Sequence, residues 1–193
     1  MHTHRADLPD FIEKTITPFH ACVLGLQRLR MPVIACAHGA LAGGGFSLAM
    51  ACDFVVAARS ARFVVAYPKL GAPADGGLSF FMFHKLGSSR GLEALTTGSP
   101  FTAEQALQIG LVNRVVPPTE VNGHAQAQAK KLAAKPLSSL IETKRLMKGG
   151  QSKALIERMG EEGQSFRRML TEPAAREAFG AFMEKRKPDF TKI

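Results

Sequence analysis

Apolar residues recur first at helical spacing and then in a continuous run. From Phe11 to Leu29 the positions Phe11, Ile12, Phe19, Val23, Leu26 and Leu29 fall on one helical face, bent near Pro18. Residues 1–10 ahead of it read as an irregular lead-in stopped by Pro9. Met31-Pro32 ends the helix, and Val33–Ala37 follows without a polar face, the pattern of a strand buried on both sides. A short helix over 44–52 and a second strand at Phe54–Ala57 come next. A strand, short helix, strand order implies a parallel crossover and an α/β architecture.

A third strand, Phe63–Val65, leads into Tyr67-Pro68-Lys69-Leu70-Gly71-Ala72-Pro73-Ala74-Asp75-Gly76-Gly77, whose prolines and glycines describe a shaped loop. A helix is expected from Asp75 or just after it, carrying Leu78, Phe81, Met82 and Leu86 inward and closed by Gly87. Residues 88–98 give another short helix. Thr102 and Gln105 form a capping box for a helix ending at Gly110, and Leu111–Val116 is a last strand. From Val121 onward the pattern is helical, in segments separated by Pro136, Gly149-Gly150 and Pro173. Their apolar stripes, such as Leu137, Leu140, Ile141, Met147 and Leu155, Met159, Phe166, Leu170, exceed what a small core absorbs, so a subunit interface is expected to take the surplus. The chain thus divides into an α/β core over 1–120 and a helical region over 121–193.

Composition narrows the setting. With 193 residues, 46% hydrophobic and 21% charged, the chain suits one globular domain with an appendage. A net charge of +9 fits nucleic acid, an anionic membrane surface or a small ligand carrying several phosphates. Nucleic acid is disfavoured, since there is no Trp, one Tyr and no basic stretch interleaved with aromatics. Cys22, Cys36 and Cys52 form no CxxC pair, which argues against a disulfide framework or a zinc site and for a reducing, cytoplasmic compartment. The N-terminus is too polar for a signal peptide. Met31 to Cys52 lacks formal charge, but Pro32, His38 and its glycines make it a poor membrane span.

Candidate chemistry begins at Gly43-Gly44-Gly45, between a strand and a helix. Glycines leave backbone N–H groups uncovered, and a helix start adds unpaired donors and a positive dipole end. Such a place holds a phosphate, a carboxylate or an oxygen that becomes negative during reaction. Close packing of helix on sheet explains the same glycines equally well.

The stretch PVIACAHGALAGGGFSLAMACDF resembles the signature of the enoyl-CoA hydratase/isomerase (crotonase) superfamily. The resemblance continues through ARFVVAYPKLGAPADGG and FTAEQALQIGLVNRVVP to FGAFMEKRKPDF, in the family's order, and covers nearly everything from Met31 onward. It implies a spiral of ββα units followed by a helical C-terminal oligomerisation region that builds homotrimers, often paired as hexamers. It also implies acyl-CoA substrates, with coenzyme A part of the substrate and no separate cofactor or metal. The family's chemistry runs through a thioester enolate, and Gly44 matches the position of one oxyanion-hole donor. Gly43, Ser47, Pro68, Lys69 and Gly76 map to the substrate-binding surroundings.

Departures from the family pattern select the reaction. Hydratases place one glutamate after the glycine triplet and a second after the loop proline; here these positions hold Ser47 and Lys69. Asp75 falls where single-base isomerases of the superfamily carry their acid, including Δ3,Δ2-enoyl-CoA isomerases and the ring-opening isomerase of phenylacetate breakdown. An isomerase is therefore expected, with hydration or a non-catalytic acyl-CoA-binding or assembly role as alternatives. The competing role for Asp75 is the N-cap of the following helix. Ser47 reads as a helix-surface or pocket-lining hydroxyl, Lys69 as a solvated loop charge or a contact to the CoA phosphates. His38 belongs to a strand-to-turn junction, His84 to semi-buried packing, and Lys185-Arg186-Lys187 to a solvated end. The family's second oxyanion donor comes from an Ala-Gly-x-Asp loop that does not occur ahead of Pro32, so an open sheet edge is expected.

Overall fold

The computed structural model describes residues 8–192. Helix α1 (Leu8–Arg28) precedes a winding of short strands and helices. Strands β1 (Ile34–Ala37) and β2 (Ala40–Ala42) lead into α2 (Gly44–Ala51), and β3 (Phe54–Ala58) and β4 (Arg62–Val64) into α3 (Leu78–Thr97). Then come β5 (Phe101–Thr102), α4 (Ala103–Gln108) and β6 (Arg114–Val116). β1, β3 and β6 form one sheet in that order, and β2, β4 and β5 another, with β5 antiparallel to β4. β1 and β3 pair in parallel with Ile34 opposite Phe54, and β2 and β4 with Ala40 opposite Arg62. This is the expected spiral of ββα units. β1 and β2 stand at the ends of their sheets, each paired on one side among the described residues.

The core lies between the sheets and α2 and α3. Phe46, Met50, Phe63, Leu78 and Met82 are fully buried there, and the Phe46 and Phe63 rings meet with centroids 5.5 Å apart. α3 bends at Gly87, whose φ of 78° and ψ of 174° break the helix where the pattern places its stop.

Several expectations shift. α1 already includes Pro9, whose missing N–H is harmless in a first turn; the rest of the lead-in, residues 1–7, lies outside the described residues. β1 is not buried on both faces, because Cys36 is exposed at the sheet edge. β2 and β5 do not show in the apolar pattern, being respectively three and two residues long. The last strand is confined to 114–116, since Leu111 and Val112 are buried in the turn before it. The Thr102–Gln105 capping box is present, with both reciprocal bonds made.

The helical region comprises α5 (Val121–Ala133), α6 (Leu137–Met147), α7 (Gln151–Leu170) and α8 (Pro173–Met183). α7 packs on α1, α3 and α8. α6 buries no residue and leaves Leu137, Leu146 and Met147 at least half exposed. Its lysines tie it to the core: Lys144 Nζ lies 2.6 Å from Asp53 Oδ2 and Lys148 Nζ 2.5 Å from Oδ1. Burial alone would raise the Asp53 pKa, but hydrogen bonds from Lys144, Lys148 and the Val33 amide outweigh it and hold it below the ordinary carboxylate value. Among the described residues no helix is long and apolar enough to cross a membrane.

Candidate active site

The site is built where α1, the start of α2 and the loop before α3 meet. Gly43 caps α2 and its carbonyl accepts from the amides of Phe46 at 2.9 Å and Ser47 at 3.1 Å. The amides of Gly44 and Gly45, at the helix start, have no acceptor within α2. Gly44 also faces α1, because a β-carbon there would lie 3.1 Å from the Phe19 ring. Bare donors and close packing, the two readings of the triplet, therefore coexist.

Asp75 is 5% exposed and its carboxylate points into this junction. Its Oδ1 lies 2.7 Å from His20 Nε2, so a hydrogen on Nε2 is donated to the carboxylate. The Asp75 main-chain carbonyl is fixed as well, accepting from the Ser47 hydroxyl at 2.8 Å and the Tyr67 hydroxyl at 3.1 Å. Burial pushes the Tyr67 phenol above its ordinary value, so it remains a donor. At Gly76 (φ 69°) any β-carbon would collide with the Phe19 ring.

Asp75 is not the N-cap of α3. Gly77 holds that position without a side-chain cap of its own. The capping carboxylate comes from α7: Glu162 Oε2 accepts from the Gly77 amide at 2.6 Å, and Oε1 from the Ser79 amide at 2.9 Å and hydroxyl at 2.5 Å. Burial pushes Glu162 up to about 7 against the pull of these hydrogen bonds, with Asp75 adding to the rise.

Helix-start amides without acceptors beside a buried carboxylate can hold a developing negative charge next to a proton acceptor. The enoyl-CoA hydratase/isomerase family model matches residues 9–192. The chain belongs to the enoyl-CoA hydratase/isomerase family. A probable enoyl-CoA hydratase of Mycobacterium tuberculosis is 37% identical over 98% of this chain and 68% of its own length. The 1,2-epoxyphenylacetyl-CoA isomerase of Escherichia coli is 33% identical over 96% of the chain and 70% of its own length. Among solved structures, an enoyl-CoA hydratase from Mycobacterium avium subsp. paratuberculosis superposes with a TM-score of 0.87 at 29% identity, covering 93% of this chain and 73% of that one.

Within this family member the expected site residues separate into two groups. Gly43, Gly44, Ser47, Asp75 and Gly76 come together around Phe19, His20 and Tyr67. Ser47 is neither on a helix surface nor lining an open pocket; it is fully buried and its hydroxyl is used on Asp75. Pro68 and Lys69 occupy the turn Tyr67–Leu70, where Lys69 is exposed. Pro68 helps to line an open groove of about 910 Å³ with Pro73, Arg168, Met169 and Phe190, and none of Gly44, Ser47 or Asp75 lines it. His38 is exposed at the β1–β2 turn. His84 is a surface residue rather than semi-buried, stacked on Phe80 at 4.0 Å. In the basic tail Arg186 folds back onto Glu177 and Glu184.

His20, Tyr67 and Glu162 escape the sequence reading as site residues. Two of them carry a pattern signal. His20 follows Ile16 by one helical turn on the apolar face of α1, and Glu162 interrupts the stripe Leu155, Met159, Phe166, Leu170. A polar group at a buried helical position needs a partner, and here both partners lie in the Asp75–Ser79 turn.

Proposed function

We propose that the protein is an acyl-CoA isomerase acting through a thioester enolate, of the Δ3,Δ2-enoyl-CoA or phenylacetate-pathway type. The observation that carries this reading is the oriented carboxylate of Asp75. Its carbonyl is held by Ser47 and Tyr67 and its side chain by His20, while the two hydratase glutamate positions hold Ser47 and Lys69. Asp75 removes the C2 proton of a 3-enoyl thioester, the Gly44 amide donates to the thioester oxygen as charge builds on it, and Asp75 returns the proton at C4. One carboxylate suffices, since the proton leaves and returns through the same group.

Hydration is the second reading, favoured by His20. A histidine 2.7 Å from the carboxylate supplies a second proton-transferring group, and a hydration needs both an acid and a base. The hydratase names of several relatives support the same alternative. Supplying 3-enoyl-CoA and 2-enoyl-CoA separately distinguishes them: conversion of the former to 2-enoyl-CoA supports isomerisation, and appearance of 3-hydroxyacyl-CoA from the latter supports hydration. Unchanged turnover of both by Asp75→Ala contradicts both.

The assembly expected of such an enzyme is a homotrimer or a hexamer. The exposed Leu137, Leu146, Met147, Phe182 and Met183 of α6 and α8 supply apolar surface for it. A monomer by light scattering would contradict this.

A further inference from the structure

We propose that Glu162 is the positioning residue for the Asp75 base, a carboxylate lent by the helical region to order the turn that carries it. The inference rests on the reading of Asp75 as the base.

Several elements hold the turn at once. α1 holds the Asp75 carboxylate through His20, α2 and the Tyr67 turn hold its carbonyl, and the Phe19 ring closes over Gly76. Gly77 and Ser79 depend on α7: Glu162, 6% exposed, takes both their amides and the Ser79 hydroxyl. Helix starts leave such amides without acceptors, and the short route for α3 would be a local Ser, Thr, Asp or Asn cap. Gly77 offers none, so the cap crosses 85 residues of sequence.

The next residue on α7 serves the other half of the pair. A β-carbon on Gly163 would stand 3.3 Å from His20 Cε1, so the absent side chain lets the imidazole lean on α7. Consecutive residues of one helix therefore meet the turn that carries Asp75 and the imidazole that faces its carboxylate. A role in folding alone would not require Glu162 to face the turn of the base while Gly163 makes room for its partner. Burial raises the Glu162 pKa to about 7 against the pull of these three hydrogen bonds, so the ionised group that accepts all three prevails above that pH.

The chemistry specifies the variant. Glu162→Gln keeps one carbonyl oxygen as acceptor, but its NH2 cannot accept from a second backbone N–H, so one of the Gly77 and Ser79 contacts is lost. The test combines turnover of 3-enoyl-CoA with amide hydrogen exchange resolved at Gly77 and Ser79. E162Q is expected to lower kcat about tenfold with KM within about twofold, and to speed exchange at one or both amides. In an Asp75→Asn background, E162Q is expected to cause no further loss of the residual turnover. Ser79→Ala removes a single donor and leaves the carboxylate in place; it is expected to lower kcat about threefold, and it carries the test if E162Q does not fold.

Unchanged kcat and unchanged exchange in the variant that folds overturn the proposal. So does an equal tenfold loss with and without the Asp75 carboxylate. Wild-type turnover in Asp75→Ala instead overturns the base assignment itself. Unchanged turnover in E162Q, when Asp75→Ala is inactive, overturns only the role of Glu162.

Discussion

The Ser47 hydroxyl and the Asp75 carbonyl are joined by a buried hydrogen bond of 2.8 Å. The bond links the first turn of the glycine-capped helix to the loop carrying the carboxylate, across 28 residues of sequence. Tyr67 shares the same carbonyl at 3.1 Å and lies 3.3 Å from the Ser47 oxygen. Ser47→Ala is therefore expected to leave the carbonyl with one donor. The expected cost is about 1 kcal/mol of stability and a several-fold fall in kcat. Chemical denaturation and steady-state kinetics check it; a Ser47→Ala enzyme with a raised KM for 3-enoyl-CoA and no change in kcat would assign Ser47 to binding instead.

Gly76 makes the sharpest steric prediction. Its φ of 69° disfavours any side chain, and a β-carbon would run into Phe19. Gly76→Ala is expected to destabilise the protein by roughly 2 kcal/mol or more, from backbone strain and the clash together. Phe19→Ala in the same chain should restore only the steric part, so the two changes should be non-additive in thermal or urea unfolding.

These residues mark how far the sequence could be read. The ββα order, the glycine-capped α2, the break at Gly87 and the Thr102 capping box follow from local patterns, and local rules describe them well. β2 and β5 are stabilised by pairing with β4 rather than by any pattern of their own, so they do not show. Gly44 and Asp75 are legible as candidates through resemblance to the family. The function of Ser47 is not, because a hydroxyl aimed at a distant main-chain carbonyl leaves no periodic trace. The capping of α3 is also non-local: Gly77 at the N-cap position has no side chain, and its amide is taken by Glu162 of α7. Only the interruption of the α7 apolar stripe gives it away.

Glu162 also sets a pH dependence. Its folded pKa is raised from an ordinary 4.5 to about 7 by burial, against hydrogen bonds from Ser79 and Gly77 and with Asp75 adding to the rise. A raised carboxyl means that the native state holds the proton more tightly. Its contribution to stability is therefore fully present below about pH 4.5 and is lost as pH rises through 7, to the extent of ~3 kcal/mol. The stability difference between wild type and Glu162→Gln should shift by that order, in favour of the variant, from pH 4.5 to 8. Urea unfolding at the two pH values measures it, and a constant difference would contradict the assignment.

The central claim is that Asp75 moves the C2 proton of an acyl thioester whose oxygen is held at Gly44. The direct measurement is the fate of deuterium in 3-enoyl-CoA labelled at C2, followed by NMR as 2-enoyl-CoA forms. Wild type is expected to carry deuterium from C2 to C4 of the product, and Asp75→Asn to slow that transfer by about a hundredfold or more. Transfer at the wild-type rate in Asp75→Asn would contradict the account.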